Sequence, residues 1–423
     1  MTRRLHGAAR VAAAALLVLL AAALRAQDED PLDGIDQRLS FGAWDDAFRL
    51  RLSGTLDLEA YNLSQDGMGL VANDAHAFFN PRLTVFLDFQ VGSHVYGFVQ
   101  ARADNGFDPG EEDAGVRLDE YVLRYTPGDD ARISFEAGKF ATVVGNWTLR
   151  HDSWDTPFVT APLPYENLTG IWDSEAVRSV PQLQFWAGVT PRPDAGNSFL
   201  DQYRNIPIIW GPSYASGGAV LGRLGKFDYA FEVKNTSLSS RPEVWSVTAT
   251  QFQNPTFSGR VGYSPNEAWN FGVSASAGPY LQPVAEATLP DGRSLDHYLE
   301  LVVGEDLTYA WHHVQVWAEA YEARFEIPGV GNADTVAYYV EAKYKFTPQF
   351  FGALRWNQQV FSPLDVPYGA DHRWSRDVSR VDLGPAYRLT PHVQVKLQYS
   401  VEHQGADLGA WSELTAVQLT VRF

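Results

Sequence analysis

Apolar and polar residues alternate along most of the chain beyond residue 48. The stretch RLRLSGTLDLEAY, residues 49–61, sets its leucines on one face and its charged or hydroxyl side chains on the other. A repeat of two residues is typical of a β-strand with two unlike faces, whereas a helix would not sort the residues in this way. The pattern therefore predicts an all-β protein.

The same alternation recurs in segments that are mostly about 9 to 13 residues long, which suits a tilted strand that crosses a membrane. The predicted strands are 49–61, 82–91, 94–104, 116–126, 131–140, 227–234, 257–263, 269–277, 298–309, 313–325, 335–346, 350–361, 380–389, 391–402 and 411–423. Bacterial membrane barrels have an even number of strands, so we expect 16. Residues 181–189 and 243–250 also alternate and would give 18, but the long connections around them favour hairpins within loops.

Short and long connections alternate between these segments. Turns such as 91–94 and 345–350 are short, whereas loops such as 62–80 and 326–334 are long. This asymmetry is typical of an exported barrel, with its turns toward the periplasm and its loops outside. An unpaired backbone N–H or C=O group costs several kcal/mol in hydrocarbon, so the last strand should pair with the first. We therefore predict a transmembrane antiparallel β-barrel over residues 49–423.

The first residues are typical of an export signal. A basic segment, MTRRLHGAAR, precedes a short apolar run and the small residue Ala26. We predict a signal peptide over residues 1–26 and a short periplasmic segment over 27–48. The apolar run has about 14 residues against the ~20 that span a bilayer, which disfavours an uncleaved anchor.

Composition narrows the class of function. The chain has no cysteine, so it forms no disulfide and offers no thiolate for catalysis. Its net charge is −18, and removal of residues 1–26, which hold four arginines and no acid, gives −22. Such acidity argues against nucleic acid as a partner. We identify no catalytic, cofactor-binding or metal-binding motif, so we expect no enzymatic activity and no cofactor.

A barrel of 16 or 18 strands leaves a water-filled lumen, and the alternation predicts its lining. The charged residues that we expect to face inward are Arg49, Arg51, Arg82, Arg102, Arg124, Arg260, Lys343, Lys345, Arg355, Arg380, Arg388 and Lys396, with Asp57, Glu59, Asp88, Glu120, Glu136, Glu232, Glu319, Glu341 and Asp382. A mixed lining favours polar, hydrated solutes. The basic excess predicts a weak anion preference, and the total charge predicts the opposite. Alternatively, these charges pair across neighbouring strands and only solvate the wall.

The loop over residues 141–181 is the most informative local stretch. It is rich in tryptophan and in charged residues, and Pro157, Pro162 and Pro164 stiffen it. Long ordered loops are usually functional, so we expect this one to fold into the barrel and narrow the pore. Arg150, Asp152, Asp155 and Glu166 would line the constriction, and the aromatic residues would pack against the wall or offer a stacking surface to a sugar. A trimer contact or a lid is the alternative role.

The chain resembles a Gram-negative outer-membrane porin. The residues that carry the resemblance are the signal peptide, the alternating strands, the acidic outer loops and the terminal stretch AVQLTVRF, which ends on Phe423. In that class the terminal aromatic strand is read by the barrel-assembly machinery, which implies that Phe423 is an assembly signal. The segment AGKFATVVGNW, residues 137–147, is similar to a segment of phosphate-selective and related porins, although Val143 stands where they have proline.

These observations predict an outer-membrane porin that lets small hydrophilic solutes or ions diffuse through a water-filled channel. The expected partners are outer-membrane lipid, the assembly machinery and the solute, and a homotrimer remains an open option. The alternatives are a sugar- or polysaccharide-specific channel and, with less support, a structural or adhesive barrel or a barrel enzyme. The sequence does not name the solute.

Overall fold

The computed structural model describes residues 32, 34–45, 47–64, 69–71, 76–105, 115–187, 204–364, 373–405 and 410–423. The predicted signal peptide, residues 1–26, lies outside this part of the chain. Within it, no helix is long and apolar enough to cross a membrane.

The described residues form one antiparallel sheet of 17 strands. The strands are β1 Ser40–Ala43, β2 Phe48–Leu63, β3 Ala77–Val91, β4 Val95–Asp104, β5 Gly115–Tyr125, β6 Ser134–Phe140, β7 Ala215–Leu224, β8 Phe227–Lys234, β9 Thr256–Asn266, β10 Trp269–Pro279, β11 Leu299–Trp311, β12 Val314–Ile327, β13 Gly331–Lys345, β14 Phe350–Phe361, β15 Asp377–Arg388, β16 Val393–Gly405 and β17 Ala410–Arg422. Strands β2 to β17 each pair with the next, and β17 pairs with β2. The result is a closed barrel of 16 strands, as the alternation predicts.

The last residue completes the seam between β17 and β2. Arg422 lies opposite Thr55 in the register, and the Phe423 N–H donates to the Gly54 carbonyl at 2.9 Å. The Gly54 N–H donates in return to the Phe423 carbonyl at 2.8 Å. A Cβ atom added to Gly54 would lie 2.6 Å from the Phe423 ring, so the ring packs directly over this glycine.

Strand β1 pairs with the part of β2 that β17 does not reach. Ser40 to Ala43 pair antiparallel with Arg51 to Phe48, and the Leu52 N–H donates to the Leu39 carbonyl at 3.0 Å. The edge of β2 beyond Gly54 would otherwise present unpaired backbone groups. The segment predicted as a periplasmic extension, 27–48, therefore contributes strand β1 and the first residue of β2 to the sheet.

The two ends of the barrel differ as the sequence predicts. The connections at the turn end are short, for example 225–226 and 312–313, whereas the connection from β6 to β7 at the long-loop end spans 141–214. One expected long loop, 326–334, is mostly strand, because β12 and β13 extend until only residues 328–330 separate them.

The faces of the strands separate apolar from polar side chains. Outward-facing and exposed apolar residues include Leu83, Leu123, Phe231, Val261, Val303, Val340, Leu354 and Leu383. Toward the turn end of the last strand the inward positions are polar, since Gln418 and Thr420 are buried and donate to Glu59 and Asp57 of β2, both at 2.6 Å. A bilayer requires an apolar exterior and a closed sheet whose backbone groups are hydrogen-bonded, and this barrel has both.

Sequence patterns missed one strand and suggested two segments that are not strands. Strand β7, ASGGAVLGRL, is glycine-rich and too uniformly small for alternation to stand out. The alternating segment 181–189 is instead a short helix, Val180–Trp186, followed by Ala187; residues 188 and 189 lie outside the described residues. Residues 243–250 form a 3₁₀ turn, Pro242–Val244, and a short helix, Val247–Thr250. The count of 16 is therefore correct, and the option of 18 is wrong.

The ring of Phe423 should matter for closure of the barrel beyond its backbone bonds. Phe423→Ala keeps both main-chain hydrogen bonds but removes the ring that packs over Gly54. We expect a smaller fraction of folded barrel after refolding into detergent micelles, measured by heat-dependent migration in gel electrophoresis. Phe350→Ala is the matched control, because that aromatic ring lies at the turn end of β14, away from the seam. Equal losses in the two variants would contradict a specific role for the seam.

Candidate functional site: an internal loop and the passage beside it

The loop over residues 141–187 lies against the inner face of the barrel, where side chains of the wall hold its backbone. Glu319 on β12 accepts hydrogen bonds from the N–H groups of Asn146 and Trp147, both at 2.6 Å, and from the Tyr165 hydroxyl at 2.6 Å. Glu232 on β8 accepts from the Val143 N–H at 3.2 Å. Buried backbone groups need partners, and here the wall supplies them.

Lys396 on β16 organises the tip of the loop. Its ammonium donates to the carbonyls of Ser153 at 2.6 Å, Thr156 at 3.1 Å and Phe158 at 3.3 Å. An ammonium group has three donors, and all three are used by a chain that folds around it. On the same strand, Gln398 accepts from the N–H group of Val159 at 2.7 Å.

Two arginines expected to line the pore lie beneath the loop instead. Arg355 and Arg380 face inward from β14 and β15 but are only 0% and 2% exposed. Arg355 pairs with Asp382 at 2.7 Å and donates to the Thr160 carbonyl at 3.0 Å. Arg380 donates to the Ala161 carbonyl at 2.6 Å. Their inward orientation is as predicted; their contact with the lumen is not, because the loop covers them.

The aromatic residues of the loop pack against the barrel wall and against each other. Trp147 and Tyr165 have ring centroids 4.6 Å apart, and both belong to a buried apolar cluster with Trp317 and Tyr321 of β12. The Arg422 guanidinium lies over the Trp154 ring, and its Cζ atom is 4.1 Å from the ring centroid. Because these rings are buried, their observed role is packing rather than an open stacking surface.

A cavity of about 220 Å³ remains between the loop and strands β2 to β5. We call it the upper cavity. The charged residues that line it are the carboxylates Asp57, Glu59, Asp104, Asp152 and Glu166, the guanidinium groups Arg82, Arg102 and Arg117, and His151. Five carboxylates therefore face three arginines.

Each of these arginines is ion-paired. Arg82 lies 2.7 Å from Glu59 and 3.2 Å from Asp57, and Arg102 lies 3.0 Å from Asp119. Arg117 lies 2.7 Å from Asp119 and also pairs with Asp104. The positive charges of this wall are thus largely compensated, as in the alternative in which charges pair across neighbouring strands.

A β-bulge explains two inward-facing residues that alternation missed. In the pairing of β4 with β5, Gln100 lies opposite Glu120, but the next residue, Ala101, lies opposite Leu118. The extra residue, Asp119, therefore directs its side chain inward beside Glu120, and the parity of the strand changes, so that Arg117 faces inward as well. The sequence carries a signal for this bulge, since the adjacent acidic residues Asp119 and Glu120 interrupt the alternation.

A second cavity, of about 300 Å³, lies toward the turn end, and we call it the lower cavity. It is lined by Arg51 and Ser53 of β2, Arg422 of β17 and the loop residues Asp152 and Asp155. Thr55 and Asp152 line both cavities, so Asp152 stands where the two meet. Its side chain is 41% exposed, and Asp155 of the same turn is also exposed.

The four predicted constriction residues have different surroundings. Asp152 and Glu166 line the upper cavity, and Asp155 lines the lower one with Asp152. Arg150 does not line either cavity, because it is directed to the wall: it pairs with Glu341 of β13 at 2.7 Å and stacks on the Trp317 ring at 4.3 Å. Arg150 therefore anchors the loop to the barrel wall, which corrects the prediction that it lines the constriction.

Burial changes the protonation of two of these loop carboxyls. Burial raises the pKa of Glu166 to about 6, although its ion pair with Arg380 opposes the shift. Burial, and then the neighbouring Asp152, raises the pKa of Asp155. Both groups lose negative charge at a higher pH than an exposed carboxyl does.

The remaining predicted lining residues lie elsewhere along the barrel. Arg49 and Arg51 are exposed near the turn end of β2. Arg124 pairs with Glu136 at 2.6 Å across β5 and β6. Arg260 on β9 is buried and pairs with Asp228 and Asp306, both at 2.7 Å.

Removal of the Lys396 ammonium should release the tip of the loop. Lys396→Met keeps the length of the side chain but leaves three carbonyls without their donor, at a cost of about 1–3 kcal/mol. We expect a larger and noisier single-channel conductance in a planar bilayer. Lys345→Met is the matched control, because it removes the same charge from the inner face of β13 near the turn end. An unchanged conductance in Lys396→Met, or an equal change in both variants, would contradict this role.

Comparisons with known proteins identify the fold. No family model matches the sequence, and no curated protein matches it. Similar solved structures include the anion-selective porin from Comamonas acidovorans, with a TM-score of 0.54 and 12% identity over 89% of this chain and 100% of that one. They also include the Salmonella typhi OmpF complex with daunomycin, with a TM-score of 0.54 and 12% identity over 90% and 100%.

A third similar structure is the outer-membrane channel DcaP of Acinetobacter baumannii, with a TM-score of 0.53 and 10% identity over 90% of this chain and 99% of that one. At such identities the likeness concerns the fold, and it extends over nearly the whole length of each structure. The chain therefore has the fold of the 16-stranded outer-membrane β-barrels.

Proposed function

We propose that this protein is a porin-type channel of the outer membrane, through which small hydrophilic ions and solutes diffuse past an inward-folded loop. The observation that carries the proposal is the pair of charged cavities between the loop and the wall, which meet at Thr55 and Asp152. The apolar exterior and the porins and channels among the similar structures support the same function. The long-loop end then faces outside, and the turn end faces the periplasm.

The lining favours cations over anions. Five carboxylates and three ion-paired arginines face the upper cavity, and the basic residues Arg355, Arg380 and Lys396 are covered by the loop. This balance reverses the weak anion preference expected from a count of inward-facing residues, because that count included charges that the loop buries. It also disfavours phosphate as the solute, since a phosphate-selective lining needs a net positive charge.

We also propose a role for Phe423 in barrel assembly and an oligomeric state for the protein. We propose that Phe423 is read by the barrel-assembly machinery, since it pairs with Gly54 at the seam and its aromatic ring packs over that glycine. A homotrimer is the assembly state that we propose, with support from a similar structure described as the trimer form of OmpT from Vibrio cholerae. We expect no enzymatic activity.

Ion selectivity in a planar bilayer tests the proposed function. With wild-type protein under a potassium chloride gradient, we expect stepwise conductance and a reversal potential that indicates cation preference. In Asp152→Asn the preference should fall by a factor of up to about five, because one charge about 4 Å from an ion is worth roughly 1 kcal/mol in water. Asp129→Asn, which removes an exposed carboxylate from the turn between β5 and β6, is the control.

Three results would argue against the proposal. A bilayer without current steps would show that the barrel is not an open channel. Anion preference in the wild type would show that the paired arginines still dominate the passage. An equal reversal potential in wild type and Asp152→Asn would place the selective region elsewhere.

A further inference from the structure

Glu300 differs from the other buried carboxylates in the described part of the chain. It is the second residue of β11, at the long-loop end, and is 2% exposed. Its neighbour across the register is Phe325, and Val302 is the next inward residue of its own strand. Among the described buried carboxylates, only Glu300 and Glu319 have no lysine, arginine or histidine nitrogen within 4 Å.

The two carboxylates meet their hydrogen-bonding needs differently. Glu319 accepts from two backbone N–H groups through one oxygen and from the Tyr165 and Tyr321 hydroxyls through the other. Glu300 accepts through one oxygen only, from the Ser239 hydroxyl at 2.7 Å and the Ser239 N–H at 3.3 Å. Its other oxygen, Oε1, is buried and has no hydrogen-bond partner.

Hydroxyl groups surround this carboxylate. The Oγ atom of Ser237 lies 3.1 Å from that of Ser239 and 3.0 Å from that of Ser240, and all three residues are buried. Thr256 of β9 is 1% exposed, and its Oγ1 atom also has no hydrogen-bond partner. The cluster thus contains two unpartnered buried oxygen atoms.

Gly278 lies between the two strands that carry these oxygens and leaves room for them. Gly278 of β10 is paired with Glu300, and a Cβ atom added to it would lie 2.0 Å from Thr256 Oγ1. The threonine hydroxyl is therefore directed over the glycine, toward the strand of Glu300. A larger residue at this position would collide with the Thr256 side chain.

A buried carboxylate that has no cationic partner and leaves one oxygen without a hydrogen bond is costly, so it requires a proton, a water molecule or a cation. The atoms that could coordinate a metal ion here are all oxygens, from one carboxylate and several hydroxyls. Such a ligand set suits hard cations such as sodium or calcium. We propose that Glu300, Thr256 and the Ser237–Ser240 turn bind a hard metal cation. The ion would tie the loop after β8 to the wall at β9 to β11, away from the upper cavity. A single carboxylate implies weak affinity, on the order of 10⁻⁴–10⁻³ M for calcium.

Thermal unfolding of the full refolded chain tests the site. The protein is refolded into detergent without lipopolysaccharide, treated with a chelator, and heated in calcium chloride, sodium chloride or choline chloride at equal ionic strength. We expect calcium or sodium to raise the unfolding temperature of the wild type by a few degrees above its value in choline. Glu300→Gln should lose this response, whereas Asp291→Asn, which removes an exposed charge from the neighbouring loop, should keep it.

Terbium luminescence gives a second measurement that does not depend on a folded Glu300 variant. Trp245 donates its indole N–H to the Ser240 carbonyl at 2.8 Å, so its ring can sensitise a terbium ion held by the cluster. We expect a saturable signal in the wild type that calcium or sodium displaces and that Thr256→Val weakens. The proposal would be overturned if wild type and Glu300→Gln gave equal thermal responses. It would also be overturned if the wild type gave neither a thermal response nor a saturable terbium signal. Either result would favour a protonated or hydrated carboxyl. Neither measurement depends on conductance.

Discussion

The structure depends on one requirement, that each backbone polar group removed from water finds a partner. The barrel meets this requirement in two places, between its strands and in its interior. Between strands, the ladder closes at the seam of β17 with β2, where Phe423 pairs with Gly54. Inside the barrel, the loop over residues 141–187 has little secondary structure, so side chains of the wall replace the partners that a sheet would give. Glu319, Lys396 and Gln398 are the clearest examples.

This use of the wall decides which charges a solute meets. A polar side chain that binds the loop is no longer available to the lumen, so Arg355, Arg380 and Lys396 stabilise the loop instead of attracting anions. The part of the wall that the loop leaves open, at β2 to β5, carries arginines that are already paired with acids. In the proposed channel, selectivity would then depend on the carboxylates that stay accessible, and Asp152 and Asp155 are such residues on the loop.

Alternation predicted the fold well because it reports a physical constraint that every spanning strand obeys. It gave the barrel, the seam and the number of strands, even though the glycine-rich strand β7 carried too weak a pattern to be recognised. It failed where local geometry overrides parity, as at the bulge that turns Asp119 and Arg117 inward. It could not show which inward residues the loop covers, because contacts such as Arg150 with Glu341 join residues far apart in the chain.

The central claim is that the loop lies inside the barrel, and its accessibility to thiol reagents tests this most directly, since the chain has no cysteine of its own. Asp152 lies where the two cavities meet and its side chain is 41% exposed, whereas Ser294 lies on an exposed outer turn. In Asp152→Cys, the account predicts that a small cationic thiol reagent reacts and lowers the conductance, while a maleimide on a large polyethylene glycol does not react. Ser294→Cys should react with both. Labelling of Asp152→Cys by the large reagent as fast as Ser294→Cys would contradict the account.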